Sequence, residues 1–262
     1  MSEDTILTSI RSEWRNLPGE TALYYKNLTT GQTLNLNGEL PVIAASVIKL
    51  PVMIEFFFQI QEGRIDFNER FHIHNQDKMP SCGALTYLHE GLEVTALDLC
   101  TLMIILSDNT ATNLLIRRLS MNRINARMAA LGLRHTFLSR LLFDSQAQSR
   151  GLENHVCASE IAFLLESLYR GELVSPVYSE QMLSILKNQR LNGKIPFFLH
   201  GLPLAHKTGE DGGISHDAGI VYAPEPFVAC FLSQNTDVPR FERWIQDTSL
   251  RLAQKSGFKN EF

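Results

Sequence analysis

The chain has 262 residues, 44% hydrophobic and 20% charged, with a net charge of −4. This length suits one large domain or two intertwined lobes around a sizeable core, in an ordinary soluble globular composition. The charge balance, with no basic cluster, argues against a nucleic-acid partner. The longest apolar stretch is short and interrupted by Glu55, which argues against a membrane span. Met1 to Trp14 carries acidic residues and no continuous apolar core, unlike a signal peptide. Cys82, Cys100, Cys157 and Cys230 are widely spaced without a C-x-x-C pair. Free thiols, a cytoplasmic location and a monomer are therefore expected.

In chain order, residues 4–16 have helical spacing (Ile6, Leu7, Ile10, Trp14), closed by Pro18-Gly19. Thr21–Leu28 and Gln32–Leu36 read as a hairpin through Thr29-Thr30-Gly31. After Pro41 an apolar helix runs from Ser46 to near Gly63. Residues 64–94 are loop-rich; His72-x-His74 lacks a third nearby ligand and reads as a surface strand rather than a metal site. Thr95 to Leu106 is a helix with Thr95 and Asp98 at its start, followed by a second at 110–119. From Ser139 to Asn154 periodicity disappears, and the segment is long enough to be a functional loop. Helices are expected at 158–170 and 176–188, strands at Leu204–Glu210, His216–Tyr222 and Phe227–Ser233, and a last helix at 240–255.

Two early strands, three late ones and helices between predict an α+β fold. Its core would be a five-stranded antiparallel sheet built from both chain ends (1–40 and 195–262) with flanking helices. An all-helical lobe (41–194) would complete a single domain over 1–262, with a cleft between the lobes.

Chemistry concentrates at Ser46-Val47-Ile48-Lys49. Residues three apart on a helix share a face, so the lysine amine can reach the serine hydroxyl. A serine needs a neighbouring base to become a nucleophile, and an amine serves only if burial or another cation lowers its pKa. Ser-x-x-Lys alone is weak, since about one is expected by chance in such a chain and three occur, at Ser46, Ser184 and Ser256. Ser107-Asp108-Asn109 and Lys207-Thr208-Gly209 each occur once, 61 and then 100 residues further on.

In this order the three elements resemble the motif set of class A β-lactamases and penicillin-binding serine hydrolases, and Asp108-Asn109-Thr110-Ala111-Thr112-Asn113 is similar to that family's continuation. The resemblance implies Ser46 as the acylated nucleophile, Lys49 as its base and Ser107 as proton donor to the leaving nitrogen. Asn109 would bind the substrate acyl-amide carbonyl, and Asp108 would tie down its loop. Lys207 and Thr208 would hold an anionic substrate group, while Gly209 lets substrate approach the strand. The Ser46 and Glu210 backbone N–H groups would form the oxyanion hole. No cofactor or metal is implied; the partner is a small-molecule β-lactam or related acyl amide or ester.

Two departures stand out. Class A enzymes carry a loop Glu-x-x-x-Asn whose glutamate activates the deacylating water. The nearest match is Asp144-x-x-x-Gln148, 98 residues after Ser46, with Glu153 a further candidate. The charge of Glu210 would lie where an anionic substrate binds, and residues 214–222 hold no arginine, leaving His216 as the cationic substitute. Three functions remain open: a class A-like β-lactamase, a D,D-peptidase or esterase that releases β-lactams slowly, and a silent binding module. A nucleophile elbow, Gly-x-Ser-x-Gly, is absent. Ser215-His216-Asp217 is no triad, because strand neighbours point to opposite faces.

Overall fold

The computed structural model describes residues 5–259; the acidic start at Glu3 and Asp4 lies outside them. The chain begins with α1 (Thr5–Trp14) and the hairpin β1 (Glu20–Asn27) and β2 (Thr33–Leu36). Asn27 Oδ1 caps the hairpin turn, accepting from the N–H groups of Thr29 and Thr30 at 2.9 Å each. Then come β3 (Val42–Ile43), a 3₁₀ turn (Ala45–Ile48) and α2 (Lys49–Gln61). Pro51 falls in the first turn of α2, where N–H groups lack helical acceptors anyway.

The β4 (Arg70–Ile73) and β5 (Leu92–Thr95) strands pair antiparallel. Next is α3 (Ala96–Ile105), whose expected start at Thr95 and Asp98 is a capping box: Thr95 Oγ1 accepts from Asp98 N–H at 3.0 Å, and Asp98 Oδ2 accepts from Thr95 N–H at 2.8 Å. The chain continues through α4 (Asn109–Leu119), α5 (Met121–Ala130), α6 (Ser145–Ser149) and β6 (His155–Val156), which pairs with β3. It closes with α7 (Ala158–Tyr169), α8 (Pro176–Lys187), β7 (Leu204–Asp211), β8 (Ile214–Val221), β9 (Phe227–Gln234) and α9 (Val238–Lys255).

The main sheet has order β2-β1-β9-β8-β7 and is antiparallel throughout. The early hairpin joins the late meander through β1 and β9, as the expected five-stranded sheet from both chain ends requires. Period-2 alternation divides its two faces. Leu23, Tyr25, Phe227 and Phe231 pack with Ile10 of α1 and Phe241 and Ile245 of α9. Ala22, Val228, Cys230 and Leu232 pack against the helical lobe. On β7 that lobe-facing set includes Ala205, so Lys207 and Gly209 share its face. Likewise His216 shares the face of Ala218 and Ile220.

The helical lobe is centred on α2, of which nearly every residue is buried. Its buried carboxylate, Glu55, is matched by the guanidinium of Arg127 at 2.9 Å, from α5. β4 carries His72 of the expected surface strand, whereas that helix, β5, the β3–β6 pair and the single turn α6 were not expected. Phe57 of α2 meets the rings of Phe56, Phe67 and Tyr178 with centroids 5.4, 5.7 and 5.7 Å away. Phe57→Ala is therefore expected to lower unfolding stability by about 3–5 kcal/mol in a denaturant melt. Among the described residues no helix is long and apolar enough to cross a membrane.

Candidate active site

The cleft lies where the helical lobe meets the edge strand β7. Three backbone features deliver its residues. Ala45 adopts φ +40° and Ser107 φ +55°, both in the left-handed region that side chains disfavour. The first opens the 3₁₀ turn and sets Ser46, its second residue, beside β7; the second turns the Ser107 carbonyl inward, onto Lys49 Nζ. Gly209 allows the contact between them: a Cβ there would lie 3.1 Å from Ser46 N and 3.3 Å from Ala45 Cβ. The glycine thus seats the serine segment against the strand, in addition to any access it gives a substrate.

Lys49 Nζ is fully buried and touches four oxygens: Ser46 Oγ at 2.9 Å, Ser107 O at 2.8 Å, Ser107 Oγ at 2.9 Å and Asn109 Oδ1 at 2.9 Å. The Asn109 amide is oriented by its Nδ2, which donates to Pro80 O at 3.0 Å. Two of the four oxygens can only accept, and the two hydroxyls can also donate. A neutral amine satisfies this set: two N–H groups on the carbonyl oxygens and a lone pair toward a hydroxyl. Burial, reinforced by Lys207, holds Lys49 well below the ordinary lysine value. Lys207 donates to Ser107 Oγ at 3.1 Å and Thr208 O at 2.8 Å, and burial brings it down to about 7.

Asp108 sits at the N-cap of α4 and does not enter the cleft. Its Oδ1 accepts from Ala111 N–H at 2.9 Å, and its Oδ2 from Ala84 and Leu85 N–H at 2.7 and 2.9 Å. The carboxylate fastens the 79–85 loop, whose Cys82 carbonyl accepts from Asn109 N–H at 3.3 Å.

The structure gathers Ser46, Lys49, Ser107, Asn109, Lys207, Thr208, Gly209 and Glu210 into one place. The cleft, about 460 Å³, is lined by Ser46, Cys82, Asn109, Glu210 and Asp211 on one side and by Arg140, Leu142, Phe143, Gln148, Glu153 and Asn154 of the loop on the other. A cavity of similar size lies behind β7, around His200 and Phe197, away from these groups.

The family model of the beta-lactamase enzyme family matches residues 5–255. The chain belongs to that family. Among solved structures, the β-lactamase from Sphaerobacter thermophilus DSM 20745 is 28% identical with a TM-score of 0.87, covering 96% of this chain and 97% of its own. PBP-A is 31% identical with a TM-score of 0.86, covering 95% of each chain. A point mutant of PBP-A, in an acyl-enzyme complex with penicillin G, is 30% identical with the same TM-score and coverage. An ancestral class A β-lactamase, 19% identical with a TM-score of 0.86, shares the fold. A comparison with curated proteins finds no match.

Within this beta-lactamase family fold, the candidates Asp144, Glu153 and His216 have partners other than those expected. Asp144 is the N-cap of α6: its Oδ1 accepts from Ala147 N–H at 2.9 Å, and the cleft wall is formed by its neighbours Leu142, Phe143 and Gln148. The match by sequence distance picked a helix cap. Glu153 does face the cleft, but its Oε2 takes both Nε and Nη2 of Arg140, at 2.9 and 2.7 Å. His216 offers no cation. Its Nδ1 accepts from Ser233 N–H at 3.1 Å, so Nε2 carries the proton and donates to Ile43 O at 2.8 Å. Burial pushes its pKa down to about 4.

The unfolded chain binds a proton near the ordinary value of 6.5 and the folded imidazole only near 4. Stability is thus unaffected by His216 above pH 6.5 and falls as pH drops toward 4, by about 3 kcal/mol in total. Melts of wild type and His216→Gln between pH 7 and 4 should show this slope weakened in the variant.

Several cleft residues carry no clear mark in the sequence. Leu142 is pinned by Asn113, whose Oδ1 accepts from Leu142 N–H and whose Nδ2 donates to Leu142 O, both at 2.9 Å. The last residue of Asp108–Asn113 was the available signal. Lys194, whose side chain is only 4% exposed, pairs with Glu210, and nothing in the local sequence marks it. The other two Ser-x-x-Lys serines lie away from the cleft: Ser184 on the exposed face of α8 and Ser256 at the end of α9.

Proposed function

We propose that this family member is a serine hydrolase that opens β-lactam or related amide and ester bonds through an acyl-enzyme on Ser46. The observation that carries this reading is Lys49 Nζ, buried with depressed basicity, 2.9 Å from both the Ser46 and the Ser107 hydroxyls. Lys49 takes the Ser46 proton as Oγ attacks the carbonyl carbon. The tetrahedral oxygen is met by the backbone N–H groups of Ser46 and Glu210, each such donor worth roughly 3 kcal/mol. Ser107, bridged between Lys49 and Lys207, hands a proton to the leaving nitrogen and takes in its place the proton that Lys49 received from Ser46. Asn109 positions the acyl-amide carbonyl.

Release is the second half of the reaction and needs a base beside a water. The carboxylates lining the cleft are Glu153, Glu210 and Asp211. Glu153 is held by Arg140 and Glu210 by Lys194, while Asp211 lies two residues beyond Gly209. This favours a penicillin-binding-type enzyme that acylates readily and releases β-lactams slowly over one that turns them over as a class A β-lactamase does. A chromogenic cephalosporin decides between them. The expected result is a burst equal to the enzyme concentration followed by a slow phase; sustained fast turnover would refute it. Absence of any burst would favour the silent binding module.

A further inference from the structure

The charged groups lining the cleft are unevenly balanced. Arg140 is spent on Glu153. Lys194 pairs with Glu210 and lies 3.8 Å from Glu242 of α9, so one ammonium faces two carboxylates. Asp211 is exposed at the end of β7; its described bond is from Gly212 N–H at 2.8 Å, and among the described residues no cation pairs with it. Of the groups expected to meet a substrate anion, Lys207 and Thr208 are buried back at the Ser107 end of the site, and His216 is neutral with both ring nitrogens occupied. The β7 wall beyond Gly209 is therefore net negative.

The strand direction gives this charge a chemical address. Ser46 N lies against Gly209, so the reacting carbonyl sits beside that residue. The leaving group points back toward Ser107 and Lys207. With the leaving group at that end, the acyl portion would run forward along Glu210 and Asp211, about 3–7 Å further in an extended strand. Across the cleft stand Leu142 and the half-exposed Phe143, an apolar platform for the carbon skeleton of that portion.

We propose that Glu210 and Asp211 select the charge of the acyl group, favouring donors with a protonated amine close to the reacting carbonyl and disfavouring those with a carboxylate there. The preferred class is aminoacyl esters and amides with an apolar side chain, including amino-substituted β-lactams. This rests on Ser46 being the acylated residue.

The test compares three penicillins that share one bicyclic core and differ at the acyl α-carbon: benzylpenicillin (no charge), ampicillin (amine) and carbenicillin (carboxylate). Second-order acylation rates are read by intact mass at about pH 6.5 and low salt, where an α-amine is charged. One charge at this range in a partly solvated cleft corresponds to roughly a tenfold effect. Ampicillin is thus expected to react about tenfold faster than benzylpenicillin, with carbenicillin slower than both. The ratios should contract toward one in Glu210→Gln/Asp211→Asn. Asp211→Asn alone, at an exposed side chain, keeps the test valid if the double variant misfolds. Equal rates for the three, or ratios unchanged in the variants, would overturn the charge selection while leaving Ser46 acylation intact. No adduct with any of them would remove the acyl-enzyme reading, and the charge selection with it.

Discussion

Lys49→Ala is expected to lower the maximal rate of Ser46 acylation by about 10²–10⁴-fold, the range for losing a positioned base. The amine has no substitute, since the other cation at the site, Lys207, bonds Ser107 Oγ and not Ser46. Lys207→Ala should differ in kind. It removes a charge from the substrate-binding end and chiefly raises the β-lactam concentration needed for half-maximal rate. Stopped-flow acylation across a concentration series separates the two. In wild type the maximal rate should fall as pH drops and Lys49 takes a proton, and this limb should vanish in Lys49→Ala. Because Lys49 is depressed by burial and by Lys207, the limb should lie well below the pH at which an ordinary lysine titrates. Wild-type rates in Lys49→Ala would contradict its role as base.

Leu142→Glu is expected to convert slow release into turnover, shortening the life of the acyl-enzyme by about 10²-fold or more, the scale of an added general base. The backbone of Leu142 is clamped by both polar atoms of the Asn113 amide, at 2.9 Å each, and Leu142 lines the same cleft as Ser46. A glutamate there would place a carboxylate on a fixed backbone facing the acyl group. Asp144→Asn, by contrast, should leave release unchanged, because that carboxylate caps α6. Single-turnover mass spectrometry of the three proteins reads both outcomes. Release slowed in Asp144→Asn would contradict the assignment of Asp144 to capping.

The parts of the fold legible in the sequence are those where one local rule decides. Strands β7, β8 and β9 are set off by glycine and proline turns, and α3 carries its Thr95 and Asp98 cap residues in plain view. Helix α5 was hidden because only Ile124 and Met128 are buried and the break before it is Ser120 at φ +73°, not a glycine or proline. Within the site, the Ser46, Ser107 and Lys207 segments were recognisable by motif. The environment that changes a residue's role was not. His216 is neutral because it is buried, with Nδ1 accepting from Ser233 N–H and Nε2 donating to the Ile43 carbonyl 173 positions away. The anomaly of Glu210 was visible, whereas its partner Lys194 is fixed only by the packing of the 192–196 segment: Ile195 N–H donates to Asp217 at 2.9 Å, and Asp217 meets His206 Nδ1 at 2.9 Å.

The central claim is a single, slowly released acyl group on Ser46. Intact mass after a brief exposure to benzylpenicillin, followed by removal of free ligand and a timed chase, tests it most directly. The expected result is one adduct of the full penicillin mass that persists for minutes or longer and is absent from Ser46→Ala. An adduct that survives in Ser46→Ala, or none in wild type, would contradict it.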